Sequence, residues 1–410
     1  MKNIEKYQKL AQLIVKRGVN VQKGQPVLIR IAVDQYEFAR MLTKEAYKAG
    51  ASTVEIDYRD TNLAVCRSLY EDEETLCNIP DWQYDREKYR QSKGICSIGI
   101  VSSSPDAYKD ADNTKMAKMN IAYSKKTKDL QPYFMNNIGQ WCVAGIPSVE
   151  WAKVVFPELN DQEAFDKLEE AIFKVSRIDD SDPIDNWVKH DETLANNAKK
   201  MNEYQFDKMH FVSELGTDLY VGLVKNHKWV GGNGITNGGI LFDPNIPTEE
   251  IFCMPDNTDI NGIVYASKPL LFSGDRIEDF YLVFKDGKVV DYDAKKGKES
   301  LKALIETDEG SSSLGEVALV PYDSPVSDTG ILFSDTLYDE NAACHLALGA
   351  CYPENIEGGY DMNDDDFKVH HCNDSAIHED FMFGTRELSA DGITKDGEII
   401  PIFRHGNFIF

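Results

Sequence analysis

The sequence predicts a two-domain protein: an α/β N-terminal domain on an open, mainly parallel sheet, then an α+β, β-rich C-terminal domain. Three observations predict it. At 410 residues the chain is longer than one ordinary hydrophobic core serves, and two domains is the simplest division. Over the first half, apolar strand-like runs alternate with amphipathic helical stretches, a pattern that buries a parallel sheet beneath helices. Over the second half, short strands and close turns take over. The change of texture places the boundary near residue 205, giving domains 1–205 and 206–410.

Ile4, Tyr7, Leu10, Ala11 and Ile14 follow helical spacing, and Gly18 is placed to stop that helix. Residues 26–33 read as a buried strand, 36–48 as an amphipathic helix ended by Gly50, and 53–58 as a second strand, which together make a βαβ unit. The alternation continues with a strand over 94–101, a helix over 110–118, a strand over 141–144 and a helix after Pro147. Residues 162–202 read as helices interrupted by Asp182-Pro183. No glycine-rich phosphate fingerprint follows any of these strands, so no nucleotide cofactor is expected.

In the second half, 210–214, 219–224, 261–265 and 280–284 read as strands, Asp286-Gly287 as a hairpin turn, 298–305 as a helix and 398–410 as further strands. The glycines at 231, 232, 234, 238 and 239 are explained by turns, because Pro244 and Pro247 leave no room for the helix N-terminus that a phosphate loop needs. Asp364-Asp365-Asp366 lacks the alternating ligands and central glycine of a calcium loop and reads as solvated.

A composition 42% hydrophobic and 28% charged supports a packed core without staples. The formal charge of −25 argues against nucleic-acid and anionic-membrane partners and favours cations, including a substrate ammonium group. The eight cysteines form no CxxC pair and are expected to be reduced thiols. A charged N-terminal stretch (Lys2, Glu5, Lys6, Lys9) and the lack of any span-length apolar segment point to the cytoplasm.

The chemistry gathers in residues 314–380. Glu316 interrupts the apolar run Leu314-Gly315-Glu316-Val317-Ala318-Leu319-Val320-Pro321, a strand in which a buried carboxylate needs a proton or a cation. In Ile377-His378-Glu379-Asp380-Phe381-Met382, strand alternation sends His378 and Asp380 to one face and Glu379 to the other. His345, within Asn341 to Gly349, is expected on a short helix with its ring turned inward. Glu250, in Pro247-Thr248-Glu249-Glu250, reads equally as a ligand or as an acidic residue opening a helix. Two imidazoles with three carboxylates carry too much oxygen for structural zinc and too much nitrogen for calcium, and fit two divalent ions sharing a water. One carboxylate, Glu316 or Asp380, must then bridge. No HExxH occurs, which excludes a single-zinc protease of that type.

Taken together, Gly216-Thr217-Asp218-Leu219, Pro247 to Phe252, Gly315 to Pro321, Asn341 to Gly349 and His378 to Met382 resemble the aminopeptidase T and aminopeptidase S family of two-metal aminopeptidases, the thermophilic metalloproteases. The motifs cover the C-terminal half, and the N-terminal half fits in length and architecture. The resemblance implies removal of N-terminal residues from peptides with a free N-terminus, two divalent ions (Zn, Co or Mg), and a homodimer. It implies Glu250 rather than Glu249 as a ligand beside Glu316, His345, His378 and Asp380. It places Tyr352 as the active-site tyrosine donating to an oxyanion, and Glu316 as a proton carrier. His370 and His371 lie outside the motifs and read as outer-sphere or surface residues.

Another two-metal hydrolase, an amidohydrolase or a phosphoesterase, would use the same ligands. A phosphoesterase would want arginines, and near the late ligands the sequence offers only Arg386, with Arg404 further on. A non-catalytic metal-binding protein is the remaining alternative.

Overall fold

A computed structural model describes residues 2–272 and 274–410, which form two compact units. The first comprises Met1–Lys189 and Asn233–Pro247, the second His190–Gly232 and Thr248–Phe410. The first has a parallel sheet and the second is rich in antiparallel sheet, the two-part architecture that the change of texture predicts.

In the first unit β1 (Pro26–Ala32), β2 (Thr53–Arg59), β3 (Cys96–Val101), β4 (Trp141–Gly145) and β5 (Asn245–Ile246) lie in the order β2-β1-β3-β4-β5, all parallel. Their apolar residues, among them Val27, Ile29, Ile98 and Ala144, share one core with Leu10, Ile14, Phe38 and Leu42 of the helical segments. The strand β5 explains why the chain returns to this unit after residue 232. Its Ile246 is fully buried in the same core, so no single cut near residue 205 describes the division. The chain passes between units within the helix Pro183–Tyr204.

Between β2 and β3 stand three helices that periodicity does not announce: Thr61–Tyr70, Glu73–Cys77 and Asp81–Ser92. They bury only Ser68, Leu76 and Arg90. Charge holds the last of them. Arg90, 3% exposed, lies 2.8 Å from Glu55 and Asp57 of β2 and 2.7 Å from Glu87, so its desolvation is offset by three carboxylates.

The second unit contains two antiparallel sheets. The larger runs Leu270–Phe272, Asp275–Lys285, Pro255–Tyr265, Asp218–Leu223, Lys208–Val212, Ser389–Ile393, Ile399–Arg404 and Asn407–Phe408, with Lys288–Lys296 added to Asp275–Lys285 through the predicted hairpin. The smaller has four strands in the order β6 (Ile251–Cys253), β7 (Leu314–Leu319), β8 (His345–Gly349) and β9 (His378–Met382). Val317, Leu346 and Phe381 from it join Phe211, Phe280 and Leu301 in one core. Among the described residues no helix is long and apolar enough to cross a membrane.

Candidate metal centre

The register of the four-stranded sheet builds the site. Glu316, Ala347 and Asp380 form one cross-strand row. Ala318, His345 and Met382 form the next row on the same face, and His378 faces Gly349. Side chains alternate along a strand, so Glu316, His345, His378 and Asp380 all rise from one face. The residues between them, Ala318, Ala347 and Gly349, are small. Gly349 is fixed twice over: its φ is +111°, and a Cβ there would stand 2.1 Å from the Ile377 carbonyl oxygen. Val317, Leu346 and Phe381 occupy the opposite face and pack into the core.

Glu250 enters from the end of β6. Phe252 pairs with Ala318, and the two-residue period puts Glu250 on the same side as Phe252, while Glu249 belongs to the other. Backbone packing supports this stretch: a Cβ on Gly231 would lie 2.3 Å from the Glu250 carbonyl oxygen, a close approach only glycine permits. The Asn341 side chain accepts from the Glu249 N–H at 2.6 Å and donates to the Leu337 carbonyl at 2.9 Å. Glu249 itself lies 3.6 Å from His190.

The expectation of a helix around His345 is corrected. The helical residues are Thr336–Asp339, followed by a 3-10 turn at Glu340–Ala342, and His345 opens a strand. Every residue of that strand is buried, and a short run apolar on both faces has no period that separates strand from helix. The ring is inward as expected, 1% exposed.

The side chains converge in two groups, Glu250 with Glu316 and His345, and Glu316 with His378 and Asp380; within each, the nearest donor atoms lie within 4.8 Å of one another. Glu316 belongs to both. Its Oε1 is 3.4 Å from His345 Nε2 and its Oε2 is 3.5 Å from His378 Nε2. His345 Nε2 is also 2.9 Å from Glu250 Oε2, and His378 Nε2 is 3.6 Å from Asp380 Oδ1. Both rings are oriented from behind: His345 Nδ1 faces the Ala343 carbonyl at 3.2 Å and His378 Nδ1 the Ala350 carbonyl at 2.7 Å. Each carbonyl takes the Nδ1 proton and directs Nε2 into the cluster, the arrangement typical of metal-ligating histidine.

These residues fit a metal pair. Glu250 Oε2 and Asp380 Oδ1 are buried with no well-formed hydrogen bond, only the imidazole Nε2 of His345 at 2.9 Å and of His378 at 3.6 Å beside them, which is costly unless a proton or a cation serves them. The protonation of the cluster carries the same message. Burial drives Glu316 up to about 7 against the restraining His345. Burial disfavours charge on His345 and His378, yet the surrounding carboxylates prevail, raising His345 and taking His378 to about 10. Asp380, pushed up by burial, is held low by His378. Without a cation, the site binds protons in its place.

Tyr352 stands at the edge of the cluster. Its ring lies 4.7 Å from that of His378 and 6.0 Å from that of Phe252, centroid to centroid. Burial first, then Glu316 and Asp380, push its phenol upward and keep it protonated. His371 is half exposed and 3.1 Å from Asp256, away from the cluster. One residue escaped the sequence reading. Glu340 has its carboxyl raised by burial and then by Asp380 and Glu250, so it lies close enough to the cluster to feel its charge. Its only sequence signal is its position directly before the Asn341 motif.

The sequence pattern of the thermophilic metalloproteases (M29) matches residues 3–408. The chain is 40% identical to aminopeptidase AmpS of Bacillus subtilis, over 99% of both chains. It is 37% identical to aminopeptidase T of Thermus thermophilus, over 98% of both chains. The solved structure of wild-type AmpT from Thermus thermophilus superposes with a TM-score of 0.93 at 36% identity, covering 100% of each chain.

Proposed function

From the premise that this chain belongs to the thermophilic metalloprotease (M29) family, we propose that it is an aminopeptidase that removes N-terminal residues from peptides with a free α-amine, using a pair of divalent ions. The observation that carries the two-metal reading is the double membership of Glu316 in the groups with Glu250 and His345 and with His378 and Asp380. Glu250 and His345 would hold one ion and His378 and Asp380 the other, with Glu316 the side chain common to both groups. Such a pair supplies an activated water at neutral pH and polarises the scissile carbonyl.

The chain's own residues do the rest. The Ala343 and Ala350 carbonyls hold both imidazoles with Nε2 inward. The Tyr352 phenol, kept protonated, donates to the oxyanion that forms at the scissile carbonyl. Burial raises the Glu316 carboxyl to about 7, which suits it to exchange a proton near neutrality, and raises that of Glu340 as well. The carboxylate-rich cavity in a chain of net charge −25 favours the substrate ammonium. A homodimer in the cytoplasm, with Zn, Co or Mg at the site and the second unit, His190–Gly232 and Thr248–Phe410, as the catalytic one, completes the proposal.

The test uses matched peptides, one set with a free N-terminus and one N-acetylated, at saturating metal, with products identified by mass. Stepwise release from the free end and no cleavage of the acetylated set are expected. Equal rates on both, or first cleavage at an internal bond, would overturn the aminopeptidase reading and leave another metal hydrolase standing. No turnover with metal bound would leave only a metal-binding protein.

A further inference from the structure

We propose that the first unit carries a second ligand site, at the carboxyl ends of its parallel strands, for the zwitterionic head of a free α-amino acid. The order β2-β1-β3-β4 changes direction between β1 and β3, and in open parallel sheets this reversal leaves a crevice beyond the strand ends where ligands bind. A cavity of about 320 Å³ lies there, walled by the residues that follow all four strands.

The lining decides the ligand. Arg59 ends β2, is exposed, and its guanidinium forms no hydrogen bond or ion pair among the described residues. Asp34, after β1, and Glu150, after β4, are likewise exposed and unpaired. Asp60 is already engaged, accepting from the N–H groups of Asn62 and Leu63 at 3.0 and 3.2 Å. Ser102, after β3, is 3% exposed and its hydroxyl has no hydrogen-bond partner, a buried polar group that a ligand acceptor would satisfy.

One free cation with two free carboxylates is a poor place for phosphate, which would bring more negative charge, and a simple cation would leave Arg59 unanswered. A zwitterion answers both. Its carboxylate pairs with Arg59 and takes the Ser102 hydroxyl, and its ammonium lies between Asp34 and Glu150. This goes beyond the proposed peptidase reaction, because every lining residue belongs to the first unit and every metal-centre residue to the second.

Equilibrium dialysis of radiolabelled L-leucine and glycine at neutral pH tests the site in the full-length metal-loaded protein, in His378→Ala, which removes a ligand of the metal centre, and in Arg59→Gln and Asp34→Asn. Saturable binding that survives His378→Ala and weakens about tenfold or more in each charge variant is expected. N-acetyl-L-leucine, L-leucinamide and inorganic phosphate should each bind at least about tenfold more weakly than leucine. Absence of binding at millimolar amino acid, binding lost in His378→Ala, or binding unchanged by Arg59→Gln would overturn the site. N-acetyl-leucine or phosphate binding as tightly as leucine would overturn the zwitterion. Circular dichroism of each variant confirms that the fold is intact, which the exposure of Arg59 and Asp34 favours.

Discussion

Glu250 Oε2 lies 2.9 Å from His345 Nε2 without the geometry of a well-formed hydrogen bond. The Ala343 carbonyl at Nδ1 leaves Nε2 pointing at Glu250, so the two atoms share either a proton or a cation. A bound cation would take the place of the proton, with both atoms available to it as ligands. The same logic relates His378 Nε2 to Asp380 Oδ1, the other orphaned oxygen.

Because Glu316 is common to both groups and Glu250 to only one, their removal should differ in stoichiometry. Metal analysis after gel filtration should give two ions per wild-type chain, one for Glu250→Gln and fewer than one for Glu316→Gln. Turnover should fall by orders of magnitude in both. Equal metal content in the two variants would show that Glu316 does not bridge.

Glu379 offers the opposite expectation. It pairs with Leu348 in the row beside Phe381, on the face turned from the cluster. Its carboxyl is raised to about 7, by burial and then by Asp380, which reflects packing and proximity rather than ligation. Glu379→Gln should therefore keep the wild-type metal content. A loss of either ion on dialysis would mean that the face assignment is wrong.

That face assignment was legible in sequence because alternation over His378-Glu379-Asp380 needs only the knowledge that the segment is extended. His345 was harder. Its side chain was expected inward, but Ala343 to Gly349 carries no polar face from which a period could be read, and the flanking strands β7 and β9 decide its conformation. The helices between β2 and β3 escaped for the converse reason: they bury almost no apolar residues, and ion pairs such as Arg90 with Asp57 hold them in place of a stripe. The return of Asn245–Ile246 to the parallel sheet was invisible because two residues make no pattern. Glu340 illustrates a further limit, since a single acidic residue acquires meaning only when the fold brings it to Glu250 and Asp380.

Tyr352→Phe removes a donor and little volume. The ring contacts with His378 and Phe252 remain, so metal content and the Michaelis constant should change little. The rate constant should fall by about a hundredfold or more, the usual loss for one oxyanion donor. Steady-state kinetics on an aminoacyl chromogenic substrate separates the outcomes. An unchanged rate constant with a raised Michaelis constant would reassign the phenol to substrate binding.

Asp335, partly buried, and Asp339, buried, form a second carboxyl pair with a different consequence. Burial and the neighbouring Asp339 raise Asp335 to about 7, and burial raises Asp339 to about 6 despite Lys268 and the N–H groups of Phe333 and Asp335, which donate to it at 2.8 and 3.2 Å. Both values lie above that of an unfolded aspartate, about 3.9. The folded chain therefore binds more protons than the unfolded chain between about pH 4 and 7. Stability from this pair is fully present below pH 4 and is lost as pH rises through the folded values. Asp335 Oδ1 has no hydrogen-bond partner to lose, so Asp335→Asn removes the charge repulsion while keeping the shape. Denaturation in chelator should show the variant to be more stable than wild type at pH 8, by about 1–3 kcal/mol. The difference should shrink toward zero at pH 4, where both wild-type carboxyls are protonated. A variant less stable than wild type at pH 8, or a difference independent of pH, would mean that Asp335 is ionised without penalty and that its environment supplies a partner for the charge.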